Sequence, residues 1–178
     1  MDKQRKPIIY ISLDLELTGL DMKQHDICQI GAWATDTEGN YKGYFVSDVG
    51  FEYPLADPHC LKVCRQNKQR NLEAPDAYIV WKNFLTFLRR WKSYEIVFIG
   101  FGIESDLDWL EYFLQHEGLC LPPSDTVEIS EIRHMKGLPF AGLGKSLKEA
   151  YKKQGDAHDA LSDAMQASLV FHELFGKK

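Results

Sequence analysis

This chain has no apolar run long enough to cross a bilayer. Its longest, near Ile27–Thr35 and Ile96–Ile103, hold fewer than ten residues, whereas a spanning helix needs roughly 20. A secretory leader is also missing: the basic start (Lys3, Arg5, Lys6) precedes apolar residues, but Asp14 and Glu16 interrupt them and no small-residue cleavage site follows. No membrane partner and a cytoplasmic location are therefore expected. Cysteine is scarce, at Cys28, Cys60, Cys64 and Cys120. His59-Cys60 with Cys64 hints at a metal cluster, yet no second Cys/His pair stands at a zinc spacing, so reduced, unpaired thiols are expected. A complete phosphate-binding loop is lacking as well. Gly142-Leu-Gly-Lys145-Ser146 resembles the end of one, but Pro139 stands where the first glycine belongs and no buried strand precedes it. Nucleotide hydrolysis is excluded on that mismatch. Positive charge is in deficit too, with a formal net charge of −5, which disfavours a binder that relies on a broad basic surface.

What the chain does contain begins at Ile8. Ile8–Leu13 is a short, charge-free run rich in β-branched residues, bounded by Pro7 before it and the Thr18-Gly19 turn beyond. It reads as a strand buried on both faces. Asp14 and Glu16 follow at its exit, and side chains at i and i+2 of a strand point the same way. Two such anions repel unless a cation lies between them, and a divalent ion with oxygen ligands would serve. A plain polar strand end is the other reading. Asp36-Thr37-Glu38 repeats the spacing, but Gly39-Asn40 follows, so that copy reads as a solvated turn.

Strand–helix alternation over all 178 residues, without repeats or linkers, predicts a single α/β domain spanning 1–178 with its core at about 8–175. Further strands are expected at Ile27–Thr35, Tyr41–Val46, Glu95–Phe101 and Val127–Ile129, with a hairpin at Thr37–Asn40. Residues 47–73 show no period and read as a long irregular connection. Ala74-Pro75-Asp76 opens a helix whose stripe is Ala77, Trp81, Phe84, Leu85, Leu88 and Trp91. Ser105 is the expected N-cap of the next helix, with Leu107, Leu110 and Leu114 on its buried face. Asp106 then falls in a first turn, where a carboxylate suits the helix dipole whatever else it does. Ser146-Leu-Lys-Glu149 looks like a capping box for a short helix ending at Gly155, and a last helix should run from about Ala157 to Phe175. Basic clusters at Lys62–Arg70, Arg89–Lys92 and Lys145–Lys153 are solvated faces or phosphate contacts.

Taken together, Asp14-x-Glu16, Asp106 and His158-x4-Asp163 resemble the three motifs of the DEDDh 3′-to-5′ exonucleases, typified by the proofreading subunit of bacterial replicases and by ribonuclease T. The first motif (Asp14-Leu-Glu16-Leu-Thr18-Gly19-Leu20) and the third (Gly155-Asp-Ala-His158-Asp-Ala-Leu-Ser-Asp163) match closely. The second departs: Phe101-Gly102 stands where the family often has His-Asn, and Ser105 where it has an aromatic. That departure is similar to the branch acting on histone-mRNA ends and small RNAs.

The resemblance implies a ribonuclease-H-like fold, a five-stranded mixed sheet of order 3-2-1-4-5 with helices on both faces. It implies two divalent cations, magnesium with manganese able to substitute, held by Asp14, Glu16, Asp106 and Asp163, with Asp159 as a competing candidate one turn before Asp163. Four charges from two such ions would bring the formal net charge from −5 to −1. His158 would be the general base, and the substrate a single-stranded RNA or DNA 3′ end. Leu17, Thr18, Leu20 and Phe101 would lie against the strand, although Leu17 and Leu20 suit core packing equally. Because the chain closes soon after its last helix, a free-standing enzyme, or one held through its surface, is expected in place of a polymerase-tethered one. A non-catalytic nucleic-acid- or protein-binding module on the same fold is the rival reading.

Overall fold

A computed structural model describes residues 6–138, 142–143, 145–146 and 158–176. Five strands, β1 (Ile8–Leu17), β2 (Ile27–Thr35), β3 (Tyr41–Asp48), β4 (Glu95–Gly100) and β5 (Asp125–Glu128), make one sheet in the order β3-β2-β1-β4-β5. β2 is antiparallel to β1 and β3, whereas β4 runs parallel to β1 and β5 parallel to β4. This is the mixed sheet and the strand order expected.

Alternation along β1 explains why it lies at the centre. Ile9, Ile11, Leu13 and Leu15 are buried in one cluster with α3 (Ala77–Arg89) and α4 (Ile103–His116). The intervening Tyr10 meets Phe171 of α6 (Ala160–Gly176) at 4.7 Å on the other face. β4 repeats the division: Ile96 and Phe98 join the first cluster, while Val97 and Ile99 join the second with Ile132 of α5 (Ile129–Met135), Val170 and Phe171. Helices thus cover both faces. Each buried Ile, Leu or Phe contributes roughly 1.5–3 kcal/mol, and a one-residue slip of β1 would turn its whole apolar set to the wrong side. No helix among the described residues is long and apolar enough to cross a membrane.

Several local expectations are corrected. β3 extends to Asp48, two residues beyond the expected end. Residues 47–73 are not an irregular connection: they hold a 3-10 turn at Tyr53–Leu55, then α1 (Pro58–Val63) and α2 (Lys68–Glu73). Helices of six residues are too short to display a 3.6-residue period, so their caps, Asp57 and Asn67, were the available signs. Ser105 is not a cap, since α4 begins at Ile103 on a left-handed Gly102. β5 covers Asp125–Glu128, and Ile129 already belongs to α5. The short helix expected from Ser146 to Gly155 lies, after Ser146, outside the described residues, as does Ala157. Asp36 closes the hairpin turn, accepting from the Glu38 and Asn40 N–H groups and pairing with Lys42 at 2.8 Å. That confirms the second Asp-x-Glu as a turn. All four cysteines are unbridged.

Candidate active site

Asp14 and Glu16 leave the central strand on the face that α6 covers. Opposite them on β2 stand Gly31 and Gln29, and a bulge between Glu16 and Leu17 shifts the register there. Gly31 is what lets the start of α6 descend onto the sheet. A Cβ at that position would lie 2.2 Å from the Ala160 carbonyl carbon, a main-chain atom that cannot swing aside. Gln29 fixes the same turn. Its Oε1 accepts from the Ala160 N–H at 2.9 Å while its Nε2 donates to Asp48 at 3.2 Å. Arg70 of α2 holds Asp48 in turn through two N–H groups, at 2.7 and 2.5 Å.

The first turn of α6 carries the third motif. Asp159 is occupied as its cap, accepting from the Ser162 N–H at 3.0 Å. His158 lies just outside the helix in a left-handed conformation, φ 69°, with its side chain exposed. Its main-chain N–H donates to Asp163 Oδ2 at 2.9 Å. One Asp163 oxygen is therefore tied down. Asp14, Glu16 and Asp163 each present an oxygen, and the three lie within 4.8 Å of one another.

Asp106 stands in the first turn of α4, outside that group of three but close enough that its charge is the strongest neighbouring one on Asp14. Its helix is aimed by Glu128 at the end of β5. Glu128 Oε2 accepts from the Gly102 and Ile103 N–H groups at 2.7 and 3.1 Å, and Oε1 accepts from Ser130. A carboxylate from a neighbouring strand thus satisfies the helix start that Ser105 was expected to cap.

Burial, then the charges of Asp106, Glu16 and Asp163, push the Asp14 carboxyl well above the usual range. Burial raises Glu16 and Asp163 too, Glu16 eased first by the Cys64 thiol and Asp163 by the His158 N–H. Asp106 is pushed up to about 8 by burial, then by Glu16 and Glu128. Four carboxyls that resist ionisation side by side form an all-oxygen donor set suited to a hard divalent cation. A raised folded-state pKa gives stability that is complete below the unfolded value and lost as pH climbs through the folded one. Half-buried His172, whose pKa burial lowers, works in the opposite direction, but its contribution is nearly complete by pH 7 and little of it falls in that window. In EDTA, melting temperature should therefore fall between pH 7 and pH 8.5, at about 1.4 kcal/mol per pH unit for each group still holding its proton, or roughly 2–4 °C in a chain this size. Millimolar magnesium should flatten the slope. A metal-free melting temperature that is level or rising over that interval would contradict the clustering.

The expected strand contacts separate. Leu20 is 91% exposed, whereas Thr18 is 1% exposed. Thr18 closes its loop, exchanging main-chain and hydroxyl bonds with Asp26 and accepting from the Asp57 N–H at 2.8 Å. Leu17 and Phe101 are half-buried against the two apolar clusters. Ser146, from the loop resembling a phosphate-binding one, is fully buried with its hydroxyl donating to the Gly142 carbonyl. Gln29, Gly31 and Glu128 were missed in the sequence, where Gln29 and Gly31 stand inside a strand and Glu128 at the end of one, with no local pattern to mark them.

The sequence model of the Exonuclease family (RNase_T) matches residues 11–171. No curated protein matches. Among solved structures, E. coli Exonuclease I in complex with a dT13 oligonucleotide superposes with a TM-score of 0.76 at 14% identity, over 96% of this chain and 41% of that one. A 3′-exonuclease described in 3′-end-specific recognition of a histone mRNA stem-loop gives a TM-score of 0.76 at 16% identity, over 98% of this chain and 84% of that one. This chain thus spans about two fifths of Exonuclease I and most of the histone-mRNA enzyme. At such identities the likeness establishes the fold.

Proposed function

Because this chain belongs to the Exonuclease family, we propose that it is a metal-dependent 3′-to-5′ exonuclease of the DEDDh type, releasing nucleoside 5′-monophosphates from single-stranded DNA or RNA. The observation that carries this reading is the meeting of Asp14, Glu16 and Asp163 oxygens within 4.8 Å, with the Asp106 carboxyl close enough to bear on Asp14. These four residues would hold two divalent cations, magnesium with manganese able to substitute. When bound, the ions would offset the charge that develops on the attacking and leaving oxygens. His158, exposed at the mouth and free of the helix, takes the proton from the attacking water at neutral pH. Asp163 keeps the His158 main chain in place through its N–H bond. Exposed Leu20 lies against the terminal base.

The test uses three single-stranded substrates with added manganese: a linear strand, the same strand ending in a 3′-phosphate, and a covalently closed circle. The linear strand should release mononucleotides, the 3′-phosphate should block release, and the circle should survive. Cleavage of the circle would make the protein an endonuclease and overturn the proposal.

A further inference from the structure

Among the described non-glycine residues, two take a positive φ: His158 and Arg65, the latter at 54°. Arg65 follows α1, where the Gln66 N–H donates to the Leu61 carbonyl at 2.8 Å and the Arg65 N–H to the Lys62 carbonyl at 3.4 Å. These two bonds close the helix in a Schellman turn with Arg65 at its left-handed position. Glycine is the default there, because a Cβ crowds the following carbonyl oxygen in that conformation. Plain solvation would not explain why arginine stands where glycine is easier.

Its location supplies a reason. The residues on either side of Arg65 are anchored to β1, which delivers Asp14 and Glu16, and to its neighbour β2. The Cys64 thiol donates to the Leu17 carbonyl at 3.5 Å and lies beside the Glu16 carboxylate. Gln66 is buried, its Nε2 donating to the Cys28 carbonyl at 3.5 Å. Between these clamps Arg65 is exposed, and the ion pairs found among the described residues, Lys42–Asp36 and Arg70–Asp48, do not involve it. A phosphate chain entering a cleft of four carboxylates, in a protein of net charge −5, needs cations fixed at the rim. Arginine's planar fork suits a phosphate, and backbone strain kept in place by its surroundings is common at functional positions.

We propose that Arg65 is a substrate-binding residue, gripping a backbone phosphate of the single strand beside the cleft, with its left-handed cap conformation aiming the guanidinium. This rests on the exonuclease reading above for its substrate. The test compares Arg65→Gly, Arg65→Asn and Arg65→Lys. Arg65→Gly should melt at or above the wild-type temperature, because it relieves the cap. It should raise KM for a single-stranded oligonucleotide roughly threefold to tenfold with kcat little changed, and lower the salt slope of binding by about 0.7. Arg65→Asn, which tolerates the same conformation, should show the same weakened binding, while Arg65→Lys should restore much of the affinity and the salt slope. Anisotropy of a 5′-labelled strand, with calcium in place of magnesium, reads the same loss without turnover. Wild-type KM and salt slope in Arg65→Gly, or a lowered melting temperature in that variant, would overturn the assignment. A wild-type protein that binds the strand in an Arg65-dependent way but never cuts it would reject the exonuclease reading and leave Arg65 standing.

Discussion

Asp14→Asn is expected to abolish nuclease activity and, at the same time, to stabilise the metal-free protein. The two effects share one cause. Asp14 lies in the group of three carboxylates and feels Asp106 as well, so in the absence of metal its charge is a liability. An isosteric amide removes that repulsion and should raise the EDTA melting temperature by the equivalent of about 1 kcal/mol, as is common where a strained functional site is relieved. With metal the order reverses. A ligand at a hundredfold excess over its dissociation constant stabilises by ~2.7 kcal/mol, which for a chain of this size is a rise of roughly 5–10 °C. Asp14→Asn should lose nearly all of it. Melting curves of both proteins with EDTA and with millimolar manganese give four numbers, and the curves should cross. If the variant gains as much from manganese as the wild type, Asp14 is not a ligand.

Asp14 and Glu16 were legible in the sequence because they sit where a pattern ends. A buried strand runs into Asp14 and Glu16, which marks them locally, whereas Asp163 was marked by the motif it shares with a family. Their coming together was readable through resemblance to a family, since local periodicity says nothing of residues this far apart. The supports were not readable. Gln29 reaches Ala160 across 131 positions of sequence, and glutamine in a buried strand looks like any satisfied polar residue. Gly31 looks like a weak point of β2 until the Ala160 main chain is seen lying on it. Glu128 looks like a strand-end charge until Gly102 and Ile103 are found donating to it. The misplaced cap at Ser105 has the same origin: it was judged by local residues, and the true partner came from another strand.

The same supports allow the proposed base to be separated from the proposed ligands. His158→Ala is expected to reduce turnover by ~10²–10⁴-fold, the usual contribution of a positioned proton acceptor, while the metal-induced rise in melting temperature survives. The reason is in the bond between the two residues. Asp163 Oδ2 accepts from the main-chain N–H of His158, which alanine also supplies, so the carboxylate keeps its place when the imidazole is removed. Asp163→Ala has no such protection and should lose turnover and the metal response together. Because burial and clustered charge raise the carboxyls, acid will also depress activity by displacing metal, so the variants are compared at saturating manganese and neutral pH. Near-wild-type turnover in the variant at neutral pH would make His158 a bystander at the cleft mouth and would leave the hydrolytic water without its proton acceptor on this chain.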